Sequence, residues 1–480
     1  MSTDSSRDGD GFVRVLGRAD VLALAFGAMI GFGWVVLTGD FISGAGSLGA
    51  ALAFVIGGGI VTLVGLTYAE LVSAMPRAGG EHHYALRGLG SRGAFVASWG
   101  IVLGYLTVVA FEAVALPETV GYLAPGLQAG HLWTVAGDDV HASWAAIGVV
   151  AAVAITAVNY VGIRPASVFQ TVAVLFLVAV GAALLLGSAV GGSAANLRPL
   201  FEGGAPGLIA VLVATPFLFV GFDVIPQSAE EIRLPYRQVG AVLVLSVGCA
   251  TAWYVLIMLT VGSALPADAL AASQLASADS MAALWDSEFM GTVLVLGGIA
   301  GIVTSWNAFL IGASRLLYAM AVSGMLPGWF GRLHPRFRTP SNALLFIGGL
   351  SVLAPLFGDQ MLSWLVNAGG INIVVSYVVV ALSFLALRRR EPRMPRPFRV
   401  PAGTFVGTLA LVLSLALATL YLPGMPAALS WPYEWIIMGT WWLAGAVLLW
   451  RLPRVAPGPD AEERLAASVA VNGEDQPPWR

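Results

Sequence analysis

The stretch LAFGAMIGFGWVVLT, Leu24–Thr38, decides the fold. It sits inside an apolar segment long enough to cross a bilayer, yet Gly27, Gly31 and Gly33 interrupt it. A glycine inside a helix costs about 1 kcal/mol relative to alanine and leaves the backbone uncovered. In hydrocarbon an opened backbone survives only where protein, water or a ligand satisfies its N–H and C=O groups. The stretch is therefore either a close helix-packing face or a binding site. Leu208–Ala229 repeats the pattern about 190 residues later with Pro216, Gly221 and Pro226. Paired broken helices in corresponding halves of a chain point to a transporter's binding site.

Composition sets the class. Of 480 residues, 58% are hydrophobic and only 11% charged, and mean hydropathy is +0.83. Many separate apolar segments exceed the ~18 residues that a span requires. This excludes a soluble enzyme or a nucleic-acid-binding protein and gives an all-α polytopic membrane protein. Arginine supplies all 24 basic residues, and the chain has no lysine. The single Cys249 lies in an apolar span, so no disulfide forms within the chain. The first apolar segment lacks a small-residue cleavage site and reads as an uncleaved span.

Twelve spans are expected, at roughly 19–39, 48–72, 93–116, 143–161, 166–189, 207–229, 237–262, 290–320, 342–357, 363–387, 404–423 and 433–451. With the N-terminus inside, 23 arginines fall on the cytoplasmic side and only Arg198 outside. Excess arginine marks cytoplasmic loops, so both termini are expected in the cytoplasm of a cell-membrane protein. The connection 73–92 reads as an interfacial helix on the inner face, with His82 and His83 as surface residues. Residues 266–289 form its outer counterpart. The expected organisation is a cytoplasmic segment 1–18, a ten-span transport core 19–389, a linker with spans 11 and 12 over 390–452, and a disordered tail 453–480.

Four motifs carry a resemblance: GAMIGFGWVVLTG at 27–39, YAELVSAMPRAGGEHHYA at 68–85, FVGFDVIPQSAEEIRLP at 219–235, and SRLLYAMAVSGMLPGWFGRLHPRFRTPSNAL at 314–344. Over about residues 15–400 the chain resembles the amino acid–polyamine–organocation superfamily of permeases, nearest its cationic amino acid transporter branch. The resemblance implies a leucine-transporter-like fold: a 5+5 inverted repeat with broken first and sixth spans, plus two C-terminal spans. It implies a secondary transporter of an amino acid or related amine, working by alternating access. One departure stands out. Where members usually carry a small hydroxyl residue followed by Gly-Ile-Phe, this chain has Phe32-Gly33-Trp34-Val35, an aromatic pair in the expected pocket wall.

The first break, Ile30 to Gly33, should expose backbone donors at a helix N-terminus, where a substrate carboxylate binds. Trp34 adjoins it. The alternative is glycine-mediated helix packing. Asp223 lies in the second break, and an ionisable group at membrane depth marks function. It either meets a substrate amine or caps the interrupted backbone. Phe217, Phe219 and Phe222 shade the pocket or simply pack. Glu112, in the third span, faces either the substrate or a helix interface. Glu70, Glu230 and Glu231 end spans near arginines, as inner-gate ion pairs or solvated helix ends. By the resemblance, a sodium ion would be held by carbonyls of Gly27, Ile30 and Gly301 with the hydroxyls of Thr304 and Ser305; helix packing is the alternative. Proton coupling through a carboxylate is the other expectation, since the lysine that some proton-coupled relatives use is absent.

No cofactor and no catalytic residue is expected. The partners are a small amino acid or amine and membrane lipid, for a monomer or homo-oligomer alike, with no nucleic acid. The rivals are a polyamine- or ethanolamine-type permease and, in another class, a membrane-embedded enzyme or channel. No HExxH, GxSxG or P-loop pattern occurs to support that last class.

Overall fold

The computed structural model describes residues 14–471 except 32, 125, 127 and 426; the side chains of 163–167, 169, 470 and 471 are also outside the description. Phe32, expected at the pocket, therefore lies outside the described residues.

Helices dominate because a helix satisfies its own backbone in an apolar medium. α1 (Arg18–Met29) stops before Ile30, the chain bends at Gly31, and it resumes as α2 (Gly33–Val36) and α3 (Thr38–Ala45). α4 (Ser47–Ala74), the short α5 (Glu81–Leu89) and α6 (Ser91–Leu123) follow, then α7 (Ala142–Val161) and α8 (Ile163–Gly191). The second break separates α9 (Gly204–Phe219) from α10 (Val224–Gln227). Beyond it run α11 (Tyr236–Ala264), the short α12 (Ala267–Ala272) and α13 (Ala276–Trp285), and α14 (Glu288–Val322). α15 (Ser341–Leu353), α16 (Met361–Arg390), α17 (Gly403–Thr419), α18 (Tyr433–Arg451) and α19 (Ala461–Val471) complete the chain.

Among the described residues, nine helices are long and apolar enough to cross a membrane, counting α1–α2 and α9–α10 as one each. The three other expected spans fall at α15, α17 and α18, of 13, 17 and 19 residues. The protein is a multi-pass membrane protein.

The two breaks touch. Gly221 has φ +130°, a conformation open to glycine, and a β-carbon there would stand 2.7 Å from Ala28 Cβ and 3.1 Å from Met29 N. Glycine is thus required twice over, for the turn and for the approach of α1.

Four expectations need correction. The fold is not purely helical: between α6 and α7 an antiparallel hairpin pairs β1 (His131–Val135) with β2 (Asp138–His141). Its two-residue turn, Ala136-Gly137, has φ of +53° and +99°, which suits the twist of a tight hairpin. Next, α5 is not a surface helix, because Glu81 and His82 are fully buried. His82 Nε2 lies 2.6 Å from Ser323 Oγ, and burial pushes its imidazole down to about 3.

Two of the glutamates at the helix ends, Glu231 and Glu70, are buried in ion pairs rather than solvated. Glu231 and Arg315 pair at 2.7 Å, exposed by only 1% and 2%. Glu70 accepts from Arg388 Nε at 3.0 Å and from Val400 N at 2.8 Å, with Arg396 also at 3.0 Å. Removing one partner of such a buried pair typically costs about 3–5 kcal/mol.

Lastly, the described part of the tail is ordered. Val455 N donates to Ser91 Oγ and Gly458 N to Arg87 O, both at 3.0 Å. Leu465 of α19 is buried. Glu462 meets Arg77 at 2.5 Å and His83 at 3.7 Å. Burial works to raise this carboxyl, but His83 and Arg77 hold it down at about 2. Residues 15 and 16, ahead of α1, are tied as well. Val15 N and Leu16 N donate to Glu231 O at 2.9 Å, and Arg233 N returns a bond to Leu16 O. A short strap before α1 is thus fastened just beyond α10.

Candidate functional site

Where the breaks meet, a small cavity of about 20 Å³ remains, room for about one water. Ala28, Met29, Gly31 and Gly33 of the first break form one wall. Glu112, Val108 and Phe111 of α6 form another, and Phe217 and Leu218 of α9 a third. Tyr254 of α11 with Ser305 and Phe309 of α14 closes it.

Glycine makes this wall possible. A β-carbon on Gly31 would lie 2.5 Å from Ser305 Cβ, 2.8 Å from its Oγ and 3.1 Å from Glu112 Oε1. One on Gly33 would run into Leu218. Bare backbone therefore faces a buried carboxylate across the cavity. Glu112 is 2% exposed; it is hydrogen-bonded to Ser305, and its Oε2 has no direct partner among the described residues. Tyr254 hydroxyl donates to Met29 O at 2.8 Å, satisfying the last carbonyl of α1. The remaining lining is apolar.

Several expected pocket residues point elsewhere. Trp34 is buried edge-on against Trp253, centroids 5.4 Å apart, outside the lining. Phe219 packs on Phe54 and Tyr254, and Phe222 on Tyr68 and Tyr377. Asp223 also misses the cavity: its Oδ1 accepts from Gly221 N at 2.9 Å and caps the second break. Ile30 is buried in the first break without lining the cavity.

The expected cation donors come together only in part. Thr304 Oγ1 donates to the carbonyls of Gly27 at 3.1 Å and Gly301 at 2.9 Å. A β-carbon on Gly301 would sit 2.7 Å from Gly31 O and 3.5 Å from Ile30 O, so those carbonyls are close. Ser305, however, turns to Glu112. Beside Gly27, Asn159 donates to Asn307 and Asn307 to Gln170, both at 2.9 Å, and Gln170 donates to Ala23 O at 3.4 Å.

Sequence reasoning missed Tyr254, Leu218, Phe309 and this amide chain. Gln170 and Asn307 carried a usable signal, since polar side chains within spans are costly unless partnered. Tyr254 carried little, because tyrosine is common in membrane helices at the interface.

Residues 16–444 match the family model described as "Amino acid permease". The chain is 28% identical over 415 residues to the branched-chain amino acid permease BcaP of Bacillus subtilis, covering 84% of this chain and 87% of that one. It is 26% identical over 439 residues to the methylthioribose transporter of the same organism, covering 89% and 92%. It is 27% identical over 401 residues to cationic amino acid transporter 4 of Mus musculus, covering 80% and 61%. The family match spans both breaks and the cavity between them: the chain belongs to the amino acid permease family and is a secondary transporter of an amino acid or related amine.

Proposed function

We propose that the protein is a proton-coupled carrier of a neutral amino acid with an apolar side chain, acting by alternating access. One observation carries this reading: the cavity sets bare backbone of Gly31 and Gly33 against the Glu112 carboxylate, with apolar side chains between. A zwitterion fits that polarity. Its carboxylate meets backbone donors of the break, its ammonium meets Glu112, and Val108, Phe111, Phe217, Leu218 and Phe309 take the side chain. The relative named as a branched-chain amino acid permease supports the same class. A cavity of water size is too small for an amino acid, so substrate requires these walls to part.

Twelve spans, ten of them in two inverted five-span halves and two at the C-terminal end, with both termini cytoplasmic, are the architecture that goes with this reading. The positions of α15, α17 and α18 and the arginine distribution support it. The oxygens for sodium come together only in part, Ser305 lying with Glu112, which favours a proton over sodium as the coupling ion. No step is therefore assigned to sodium.

Uptake into proteoliposomes of radiolabelled leucine, arginine and putrescine, with sodium and proton gradients imposed separately, tests the proposal. Leucine accumulation driven by an inward proton gradient is expected. Uptake of putrescine but not leucine would favour the amine-permease reading, and sodium-driven leucine uptake would overturn the coupling.

A further inference from the structure

A pair of carboxylates lies outside the cavity and has no part in substrate recognition as proposed. Glu81 of α5 and Asp223 of the second break are both fully buried. Each has one oxygen satisfied: Glu81 Oε2 by Gln227 Nε2, and Asp223 Oδ1 by Gly221 N. The other oxygen of each has no direct partner among the described residues. The hydroxyls of Tyr68, Tyr84, Tyr105 and Tyr377, from α4, α5, α6 and α16, are equally buried around them, Tyr68 against Glu81 and Tyr105 against Asp223.

The charged groups nearby are committed elsewhere. On α5, His82 faces Ser323, His83 faces Ala78 O and Glu462, and Arg87 pairs with Glu391. Arg77 pairs with Glu462, and Arg315 of α14 with Glu231. Two ionised carboxylates side by side in a dry interior, without a cation, would be prohibitively costly; such groups take up a proton instead. The tyrosine hydroxyls bring dipoles but no positive charge to offset the acids. Burial first, and then the charge of Asp223, push the Glu81 carboxyl well above its ordinary range.

We propose that Glu81 and Asp223 form a shared proton-binding site beside the substrate cavity, loaded while the inner mouth is closed and discharged into the cytoplasm when it opens. The ligand is a proton and needs no room, which suits so tightly packed a place. On loading, a carboxylate oxygen takes H⁺ and becomes a neutral acid. On opening, water reaches α5 and α10, the acid ionises, and H⁺ leaves to that water. This inference rests on the proton-coupled reading above and on the inner-face placement of residues 73–92 expected from the arginine distribution.

Infrared spectroscopy of the purified full-length protein reads the site without transport. In a Glu112→Gln background, which removes the cavity carboxyl, a protonated-carboxyl C=O stretch is expected at pH 7. It should shift in D₂O, weaken on adding either Glu81→Gln or Asp223→Asn, and disappear when both are added. Gln227→Met, which deletes the amide donor to the Glu81 carboxylate, should keep the band to higher pH. In proteoliposomes, Glu81→Gln should lose at least ten-fold of the stimulation of leucine uptake by an inward proton gradient. A band unmoved by both acid substitutions, or gradient stimulation unchanged in Glu81→Gln, would overturn the proposal. Wild-type protein that carries no leucine yet shows the band would sink the transport reading and leave the proton site standing.

Discussion

Ser305 of α14 is hydrogen-bonded to Glu112 of α6, and Gly31 is the backbone that faces them both. Three helices thus converge on one carboxylate at membrane depth. Since a β-carbon at Gly31 would come within 2.5 Å of Ser305, even alanine must displace this contact. Gly31→Ala is expected to lower leucine uptake at least ten-fold and Gly31→Leu to abolish it. Both should insert and purify as the wild type, because span hydrophobicity rises. Undiminished uptake by well-inserted Gly31→Leu would remove the break from the binding site.

Ser305→Ala leaves the Glu112 carboxylate without its hydroxyl donor. Hydrogen bonds to charged groups are worth about 1.5–3 kcal/mol, so substrate affinity should change by about ten-fold or more. Thr304→Ala breaks only the bonds to Gly27 O and Gly301 O. Uptake measured in sodium and in choline chloride should be equal in the wild type. A sodium dependence that Thr304→Ala abolishes would restore the cation site.

Asp223 separates capping from recognition. Asparagine keeps the oxygen that accepts from Gly221 N, whereas alanine removes it. Asp223→Ala should therefore lose about 1–2 kcal/mol of stability, with Asp223→Asn losing less. Leucine affinity by calorimetry should stay within about two-fold for both, as neither touches the cavity. A ten-fold loss in Asp223→Asn would return this carboxylate to the substrate.

His82 predicts an acid limb. Its imidazole is held at about 3 in the fold, against 6.5 for the free group. The unfolded chain therefore binds the proton more readily. Stability is full above pH 6.5 and falls as pH drops from 6.5 toward 3. Melting temperatures of His82→Asn across this window should slope less steeply than those of the wild type. Parallel slopes would contradict the assignment.

Asp359 predicts the opposite sign on the face that bears the hairpin. Burial, then the neighbouring Asp138, raise its carboxyl to about 6 from 3.8. Here the folded form holds the proton more tightly, so stability is lost as pH rises from 3.8 through about 6. Asp359→Asn should match the wild type at pH 4 and melt higher at pH 8. Equal melting at pH 8 would rule this out.

Both breaks were legible because glycine and proline within long apolar runs weaken a helix that the bilayer otherwise demands. Depth in the membrane was legible too, and it singled out Glu112 and Asp223. Direction was not. Asp223, Phe219 and Phe222 flank an unwound segment whose course is set by Gly221 at φ +130°, and no helical period predicts where such side chains aim. Phe217 and Leu218, in the last turn of α9, are the residues that reach the cavity. The hairpin could have been read from Trp133-Thr134-Val135-Ala136-Gly137, alternation running into a two-residue turn, but hydropathy treats every connection alike. Helix α19 was hidden by the proline, glycine and aspartate that precede it. Its apolar Leu465 and Val469 share a face four residues apart, and Val469 packs over Gly324.

Two segments far apart in sequence converge on the same region: residues 15–16 bond beyond α10, and α19 lies over α5. During synthesis the first fastening waits for residues 231–233 and the second for residue 462. A ribosome that has released every long span has still not delivered the last clasp. The clasp therefore closes only after every long span has left the ribosome, and a chain cut short after α18 would sit in the bilayer with its spans assembled and one latch missing.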